Sequence, residues 1–447
     1  METYLRSCGD VLKSHMKNSS GLLHVVLGNE ACDIDSMVSA ITFAYFLSKT
    51  LDSGKAAVPI LNIPRAEFPL CSDNNFLLRE SGLSQDYLLF RDEVDLHSLQ
   101  NIAITLVDHN ILTKADRTLE NSVVEVIDHH RLERIPSSSC HVTVETVGSC
   151  ATLVTERIVQ KAPEILDEQM AKLIYGTIIT DCVNMAPEAG KVTPKDSQYI
   201  NFLETHFPKL PPRSMFFQSL QTAKFDVAGL STEQMMLKDM KTLSEGDLKV
   251  VVSVVYMTLD SFLQRQHLQQ ELCGFCHKHK YNLAVIMTIS FIDDKEPFRQ
   301  LAVYSSNSCY SQEVIRALEK ARNPHLNLSP MSSPYTEIKA FLQGNTLASR
   351  KKVLPIIVDF LKDYEQKMAQ GGNLEDLDLE DECAQEMSDF QQCCEDTVME
   401  EDAGVPPTPM NSLVEGCPLD SGLPKINTDI LVAKVSKIAS EEDDEGQ

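Results

Sequence analysis

Between Leu22 and Asp181 this chain repeats one pattern: a short apolar run that ends on, or just before, an aspartate. Val123-Val-Glu-Val-Ile127 leads into Asp128-His129-His130-Arg131, and Ile102 to Val107 leads into Asp108-His109-Asn110. Leu22 to Leu27 leads into Gly28-Asn-Glu-Ala-Cys-Asp33-Ile-Asp35-Ser36, and Ile178-Ile-Thr into Asp181. Short β-branched runs read as buried strands, and open α/β sheets place their ligands outside the strands' carboxyl ends. A lone Asp-His-His is a weak signal, and any one of these aspartates also reads as a helix cap or turn residue. Four of them closing successive apolar runs, one beside two histidines, point instead to a shared site.

Taken in order, the chain opens with a polar helix and reaches its first strand at Leu22 to Leu27. Asn29 to Asp35 form a loop, and Ser36 is placed to cap a helix from Met37 to Leu51. Strands follow at Ala57 to Ile63, at Ile102 to Val107 and up to Asp128. Another runs from His141 to Val147, before the helix that starts after Gly148-Ser149. A further helix from about Asp167 carries Asp181 near its end. This alternation predicts an α/β fold class: an N-terminal, mostly parallel, doubly wound sheet over residues 1–208. The Pro-containing stretch Phe207 to Pro212 marks a boundary. Beyond it the pattern predicts two helices up to Leu243, then strands at Leu248 to Tyr256, Asn282 to Phe291 and Gln300 to Ser305. A closing helix runs from Val353 to Gln370, giving a smaller α/β domain over 213–370.

Composition then limits the function. Residues 371–447 hold 21 acidic residues against 3 lysines, net −18 of the chain's −25. A segment so charged and so poor in large apolar residues is expected to be a disordered acidic tail. The balance of 40 basic against 65 acidic residues argues against a protein that coats nucleic acid or an anionic membrane. No apolar run reaches the roughly 18 residues of a spanning helix, and Met1 to Ser20 lacks a secretory core. The expected setting is cytoplasmic, and the 13 cysteines read as reduced thiols. The run Ser349-Arg-Lys-Lys352 adds a weak nuclear-import reading.

The first-domain residues make chemical sense as a cation site. Asp33 and Asp35 can direct carboxylates to neighbouring metals, Asp108 can bridge, and His129 and Asp181 can complete a site. Carboxylate with imidazole suits Mn²⁺ or Mg²⁺ better than structural zinc, and the expected cofactor is two divalent cations. Two such ions activate water and clamp an attacked phosphoryl group, so the expected substrates are small anionic phosphates.

With these motifs assembled, the chain resembles the DHH phosphoesterase superfamily, in the subgroup of family II inorganic pyrophosphatases, exopolyphosphatases and animal prune homologs, most closely the prune branch. Ala31-Cys-Asp-Ile-Asp-Ser36 resembles the first motif, Leu106-Val-Asp-His-Asn110 the second, Ile127-Asp-His-His-Arg131 the third and Ile178-Ile-Thr-Asp181 the fourth. The resemblance implies a DHH domain followed by a DHHA2-type domain. It implies that Asp33, Asp35, Asp108, His129 and Asp181 are metal ligands and that His130 contacts phosphate. Lys241 in Leu237-Lys-Asp-Met-Lys241 resembles a phosphate-binding lysine, and Arg350 and Lys351 in Ala348-Ser-Arg-Lys-Lys352 resemble a cationic pair that binds substrate.

The implied activity is hydrolysis of phosphoanhydride bonds in short-chain inorganic polyphosphate or pyrophosphate. Cyclic-nucleotide (cAMP) phosphodiesterase activity, or a scaffold role with secondary catalysis, is the alternative. The tail is implied to bind nucleoside diphosphate kinase and glycogen synthase kinase 3, with roles in cell migration and proliferation. No Gly-Gly-Gly-His motif of the superfamily's nuclease branch is present. One position departs from the pyrophosphatase pattern: Asn29 stands where those enzymes carry a histidine ligand. Cys273-Gly-Phe-Cys276-His277 has haem-attachment spacing, but Leu268, Leu272 and Phe275 around it keep helical periodicity, which favours a structural helix.

Overall fold

The computed structural model describes residues 1–18, 21–135, 139–292 and 296–369, so the acidic tail expected over 371–447 lies outside the described residues. These residues divide into two compact units, Met1–Gln234 and the part that begins at Met235.

In the first unit, α1 (Glu2–Lys17) precedes β1 (Leu22–Leu27), α2 (Ile34–Thr50) and β2 (Lys55–Ile60). After α3 (Ser72–Glu80) come β3 (Ile102–Val107), β4 (Val123–Asp128) and β5 (His141–Val144). The strands form one sheet in the order β2-β1-β3-β4-β5, with every pair parallel. The inner strands β1 and β3 are near-continuous apolar runs because both their faces are covered. Val26 and Ile127 pack with α2 and with α4 (Cys150–Lys161) and α5 (Glu168–Asp181), while Leu23, Val25, Ile104 and Leu106 pack on the side that takes Cys8 and Leu12 of α1. The doubly wound parallel sheet is therefore present, and its order reverses between β1 and β3. That reversal opens a crevice at their carboxyl ends.

Two helices close the unit, α6 (Pro194–His206) and α7 (Arg213–Phe225). Although α7 follows the Pro208–Pro212 stretch expected to separate the domains, it packs here: Phe216 and Leu220 are buried in the first core, and the Phe216 ring stacks on Tyr175 of α5 at 6.3 Å. The first compact unit thus extends past 208 to Gln234.

The second unit begins within α8 (Thr232–Lys238) and continues through β6 (Met240–Glu245) and β7 (Leu248–Val255), joined at Gly246, whose φ is +53°. The two expected helices are α7 and α8, but Met240 to Leu243, expected to continue the second, pair instead with β7, so Lys241 lies on a strand opposite Val252. Next come α9 (Leu259–Leu263), α10 (Leu268–Lys278), β8 (Leu283–Ile292) and β9 (Glu296–Tyr304). The described residues end on α11 (Ser308–Lys320), β10 (Leu328–Met331), β11 (Ile338–Gln343) and α12 (Arg350–Ala369). The sheet runs β10-β11-β9-β8-β7-β6 and is mixed: among its pairs only β7 with β8 is parallel. Leu268, Leu272, Phe275 and Cys276 of α10 are buried, as helical packing of the Cys273–Cys276 stretch requires.

Candidate metal centre

The crevice between β1 and β3 collects the loops that carry the aspartates. After β1 the chain turns sharply at Gly28, where a Cβ would run into Ser36 Oγ. Ser36 was expected to cap the next helix, but Asp33 does so, its Oδ1 accepting the Ser36 N–H at 3.1 Å. The Ser36 hydroxyl instead accepts the Asn29 N–H at 2.7 Å. With the cap at Asp33, Asp35 falls in the first helical turn and is buried. Its two carboxylate oxygens accept the Cys150 and Ala151 N–H groups at 2.6 and 2.8 Å, which binds the start of α4 to the start of α2. A carboxylate on a helix N-terminus is favoured both by the open N–H groups and by the dipole. Close approach there depends on Gly148, whose Cβ would collide with Cys182 Sγ and the Lys191 carbonyl; its N–H is held by Asp196 Oδ2 at 2.9 Å.

Asp108 ends β3 in the left-handed region, φ +61°, which aspartate tolerates better than most residues. Its N–H reaches the Ile127 carbonyl at 3.0 Å, and its carboxylate turns into the crevice. Oδ1 lies 3.2 Å from His129 Nε2, and Oδ2 accepts the Asn29 amide at 2.9 Å. His129 Nδ1 is 3.0 Å from the Val147 carbonyl, which accepts only a proton-bearing nitrogen, so Nε2 is the ring atom directed at Asp108 and, at 3.7 Å, at Asp35 Oδ2. A histidine whose far nitrogen is fixed by a backbone carbonyl is arranged as metal-binding histidines are.

The electrostatics show how strongly these groups share one space. Burial, and then the charges of Asp35 and Asp33, push the Asp108 and Asp181 carboxyls well above the ordinary range. Asp35 is raised by burial and by Asp33, against the pull of His129. Burial alone would lower His129, yet Asp108 and Asp35 raise it to about 11. Asp181, at the end of α5, leaves Oδ2 buried without a hydrogen-bond partner among the described residues. Converging carboxylates, a fixed imidazole and an unpartnered buried oxygen form a hard, anionic donor set that fits divalent cations.

Asp128 and His130 play different parts. Asp128 is fully buried, and its Oδ1 accepts the His129 and His130 N–H groups and His130 Nδ1, the last at 2.8 Å. Ligand-type atoms of Asp108, His129 and His130 lie within 4.8 Å of one another. The His130 nitrogen on that side is Nδ1, 3.8 Å from Asp108 Oδ1, and Asp128 already engages it. His130 thus presents Nε2 outward from a half-exposed ring packed edge-on against His129 at 4.4 Å.

Sequence reading did not single out Asn110 or a positioning role for Asp128. Buried Asn110 donates to Asp128 Oδ2 at 2.6 Å and to the Arg131 carbonyl at 3.0 Å, and accepts the Glu133 N–H at 2.8 Å. It therefore locks the second motif to the third. The available signal was its fixed place two residues after Asp108. Asn110→Ala should leave Asp128 Oδ2 buried and unpaired, costing about 1–3 kcal/mol, which a melting curve of the purified variant will show as a lowered midpoint.

Asn29 borders the centre without aiming its oxygen at it. Its Oδ1 accepts the Ala31 and Cys32 N–H groups, both at 3.0 Å, which leaves the amide nitrogen to hold Asp108. Groups that orient ligands typically change metal affinity ~10–100-fold when removed, so Asn29→Ala is expected to weaken Mn²⁺ binding by about that factor. Calorimetric titration of wild type and variant measures it, and equal affinities would mean that Asp108 needs no such support.

In the second unit, Lys241 and Arg350 share one charged locus. Burial first, then Arg350, lowers the Lys241 pKa, while Asp239 opposes the shift. Arg350 Nη1 is 2.5 Å from Asp239 Oδ1, and Tyr256 donates to Asp239 Oδ2 at 2.8 Å. Arg350, Lys351 and Lys352 stand in the first turn of α12, which has no acidic residue. Cations at the positive end of a helix are unfavourable unless an anion shares the place. Lys351 is exposed.

Comparison with known proteins also gives two domains, although the second match begins within α7 of the first compact unit. Residues 24–178 match the DHH family, N-terminal domain, and residues 218–360 match the DHHA2 domain. Exopolyphosphatase PRUNE1 of Homo sapiens is 47% identical over 448 residues, covering 98% of this chain and 97% of that protein. Protein prune homolog 2 of Mus musculus is 34% identical over 81% of this chain, a span that is 11% of its own length. Manganese-dependent inorganic pyrophosphatase of Methanothrix thermoacetophila is 22% identical over 65% of this chain and 93% of its own.

Proposed function

Since the chain belongs to the family that joins a DHH domain to a DHHA2 domain and includes the PRUNE1 exopolyphosphatases, we propose that it hydrolyses phosphoanhydride bonds of short-chain inorganic polyphosphate or pyrophosphate. One observation carries this reading: Asp35, Asp108 and His129 Nε2 converge at the β1/β3 crevice, with Asp33 and Asp181 acting on the same charges. Asp33, Asp35, Asp108, His129 and Asp181 would hold two divalent cations, Mn²⁺ or Mg²⁺. When bound, such ions supply Lewis-acid polarisation of phosphoryl oxygens and lower the pKa of water.

The chain's own residues supply the rest. The Val147 carbonyl keeps one His129 proton on Nδ1, so that Nε2 is the atom that would give up its proton and offer a lone pair to a cation. Asn110 orients Asp128, and Asp128 orients the His130 ring, whose Nε2 is then the atom that meets a phosphoryl oxygen. Lys241, Arg350 and Lys351 would bind non-bridging phosphate oxygens, the guanidinium by paired donors and the ammonium groups as point charges. Binding of nucleoside diphosphate kinase and glycogen synthase kinase 3 by the tail, with a part in cell migration and proliferation, extends this reading on resemblance alone. So does a cytoplasmic and nuclear location. Among the described residues, no helix is long and apolar enough to cross a membrane.

The deciding assay compares phosphate release from pyrophosphate, tripolyphosphate and tetraphosphate with cleavage of cyclic AMP, in Mg²⁺ and in Mn²⁺. Faster turnover of the inorganic chains supports the proposal. Cyclic AMP as the preferred substrate would replace it with the phosphodiesterase alternative.

A further inference from the structure

A groove of about 620 Å³ opens in the second unit beside α11 and the β10–β11 hairpin. Ile315 and Arg316 of α11, Met331 of β10, Tyr335, and Lys339 and Phe341 of β11 all line it, and no acidic residue does. β10 is also the last strand of its sheet. Apolar surface, two cations and a terminal strand together suit an extended acidic segment with apolar residues at short intervals, the kind that pairs with a sheet edge.

The chain carries such a segment close to the place where it leaves α12. Leu374-Glu-Asp-Leu-Asp-Leu-Glu-Asp381 alternates three leucines with five carboxylates. In the last turns of α12, Lys367 Nζ lies 3.5 Å from Glu313 Oε2, and Glu313 Oε1 lies 2.5 Å from Arg316 Nη1 in the groove lining. The end of α12 is therefore beside the groove, with Glu313 neutralised between two cations. Five residues from Ala369, the end of α12, to Leu374 span up to about 18 Å when extended, close to the ~20 Å length of the 13-residue α11.

We propose that this groove is the docking site of the chain's own Leu374–Asp381 segment. The leucines seat on Ile315, Met331, Tyr335 and Phe341, and the carboxylates meet Arg316 and Lys339. Because the segment is tethered, its effective concentration is on the order of millimolar, so contacts too weak to hold a free peptide suffice here. An outside acidic partner of similar pattern has to displace the segment to use the same groove.

Hydrogen exchange read by mass spectrometry tests this on the full chain. Backbone amides of 312–316 and 328–331 are expected to exchange roughly 10-fold more slowly in wild type than in a variant carrying Leu374→Ser, Leu377→Ser and Leu379→Ser together, given millimolar tethering and ~100 µM intrinsic affinity. Lys339→Glu, which leaves the tail unaltered, should produce the same faster exchange. Equal exchange in wild type and the triple variant overturns the proposal. So does protection that disappears on dilution of wild type, which would make a second copy the occupant.

Discussion

Asp108→Asn is expected to lower phosphate release from tripolyphosphate by about 10³-fold, the equivalent of ~4 kcal/mol of lost charge stabilisation. Asparagine keeps the side-chain shape and tolerates the φ of +61° at this position, so the fold should survive. What changes is the charge facing His129 Nε2 and the acceptor held by Asn29. In metal-free protein the variant should melt at or above the wild-type temperature, because the charge repelled by Asp35 and Asp33 is gone. Loss of activity combined with retained melting separates a role in cation binding from simple unfolding. Wild-type turnover would remove Asp108 from the centre.

Stripping the cations should affect stability in a pH-dependent way. The folded-state carboxyls of Asp35, Asp108 and Asp181 are raised, through burial first and then through the charge of Asp33 and, for Asp108 and Asp181, of Asp35. A raised acid favours the metal-free fold when protonated, so its contribution is present below the ordinary carboxylate range and is lost as pH rises through the folded value. His129, raised to about 11, contributes fully below its ordinary value and loses that contribution progressively as pH rises toward 11. Both effects have the same sign, so the metal-free protein should weaken steadily as pH rises above the ordinary carboxylate range. Bound divalent cations convert the same repulsion into attraction. At a concentration thousandfold above Kd they add about 4 kcal/mol, or ~10 °C, to the melting temperature. Melting curves in EDTA and in Mn²⁺ should accordingly diverge with rising pH, and a constant gap would contradict the carboxylate cluster as the cation site.

Much of this was readable from the chain because the informative signals were local. β1 and β3 are apolar runs with both faces buried, and β4 ends on the buried run Val126-Ile127-Asp128, so their positions follow from local sequence alone. The meeting of Asp35, Asp108 and His129 follows from parallel strand order plus the rule that ligands sit at carboxyl edges. What escaped depended on contacts distant in sequence. The helix cap falls on Asp33 because Ser36 is drawn back to Asn29, a competition between two plausible caps that spacing cannot decide. Lys241 lies on a strand because Met240 to Glu245 finds a partner in β7, overriding local helical periodicity. The Pro208–Pro212 stretch resembles a linker, yet Phe216 beyond it stacks on Tyr175. Asn110 joins two motifs through one buried amide, a role that only the fold reveals.

The central claim is that the crevice holds the divalent cations on which phosphoanhydride hydrolysis depends. Calorimetric titration of Mn²⁺ into metal-stripped protein, with phosphate release from tetraphosphate measured at each addition, tests it most directly. The expected result is no turnover in the stripped protein, two equivalents bound by wild type with activity rising alongside them, and weakened binding in Asp181→Ala. Full turnover without added metal, or undiminished binding in Asp181→Ala, would contradict it.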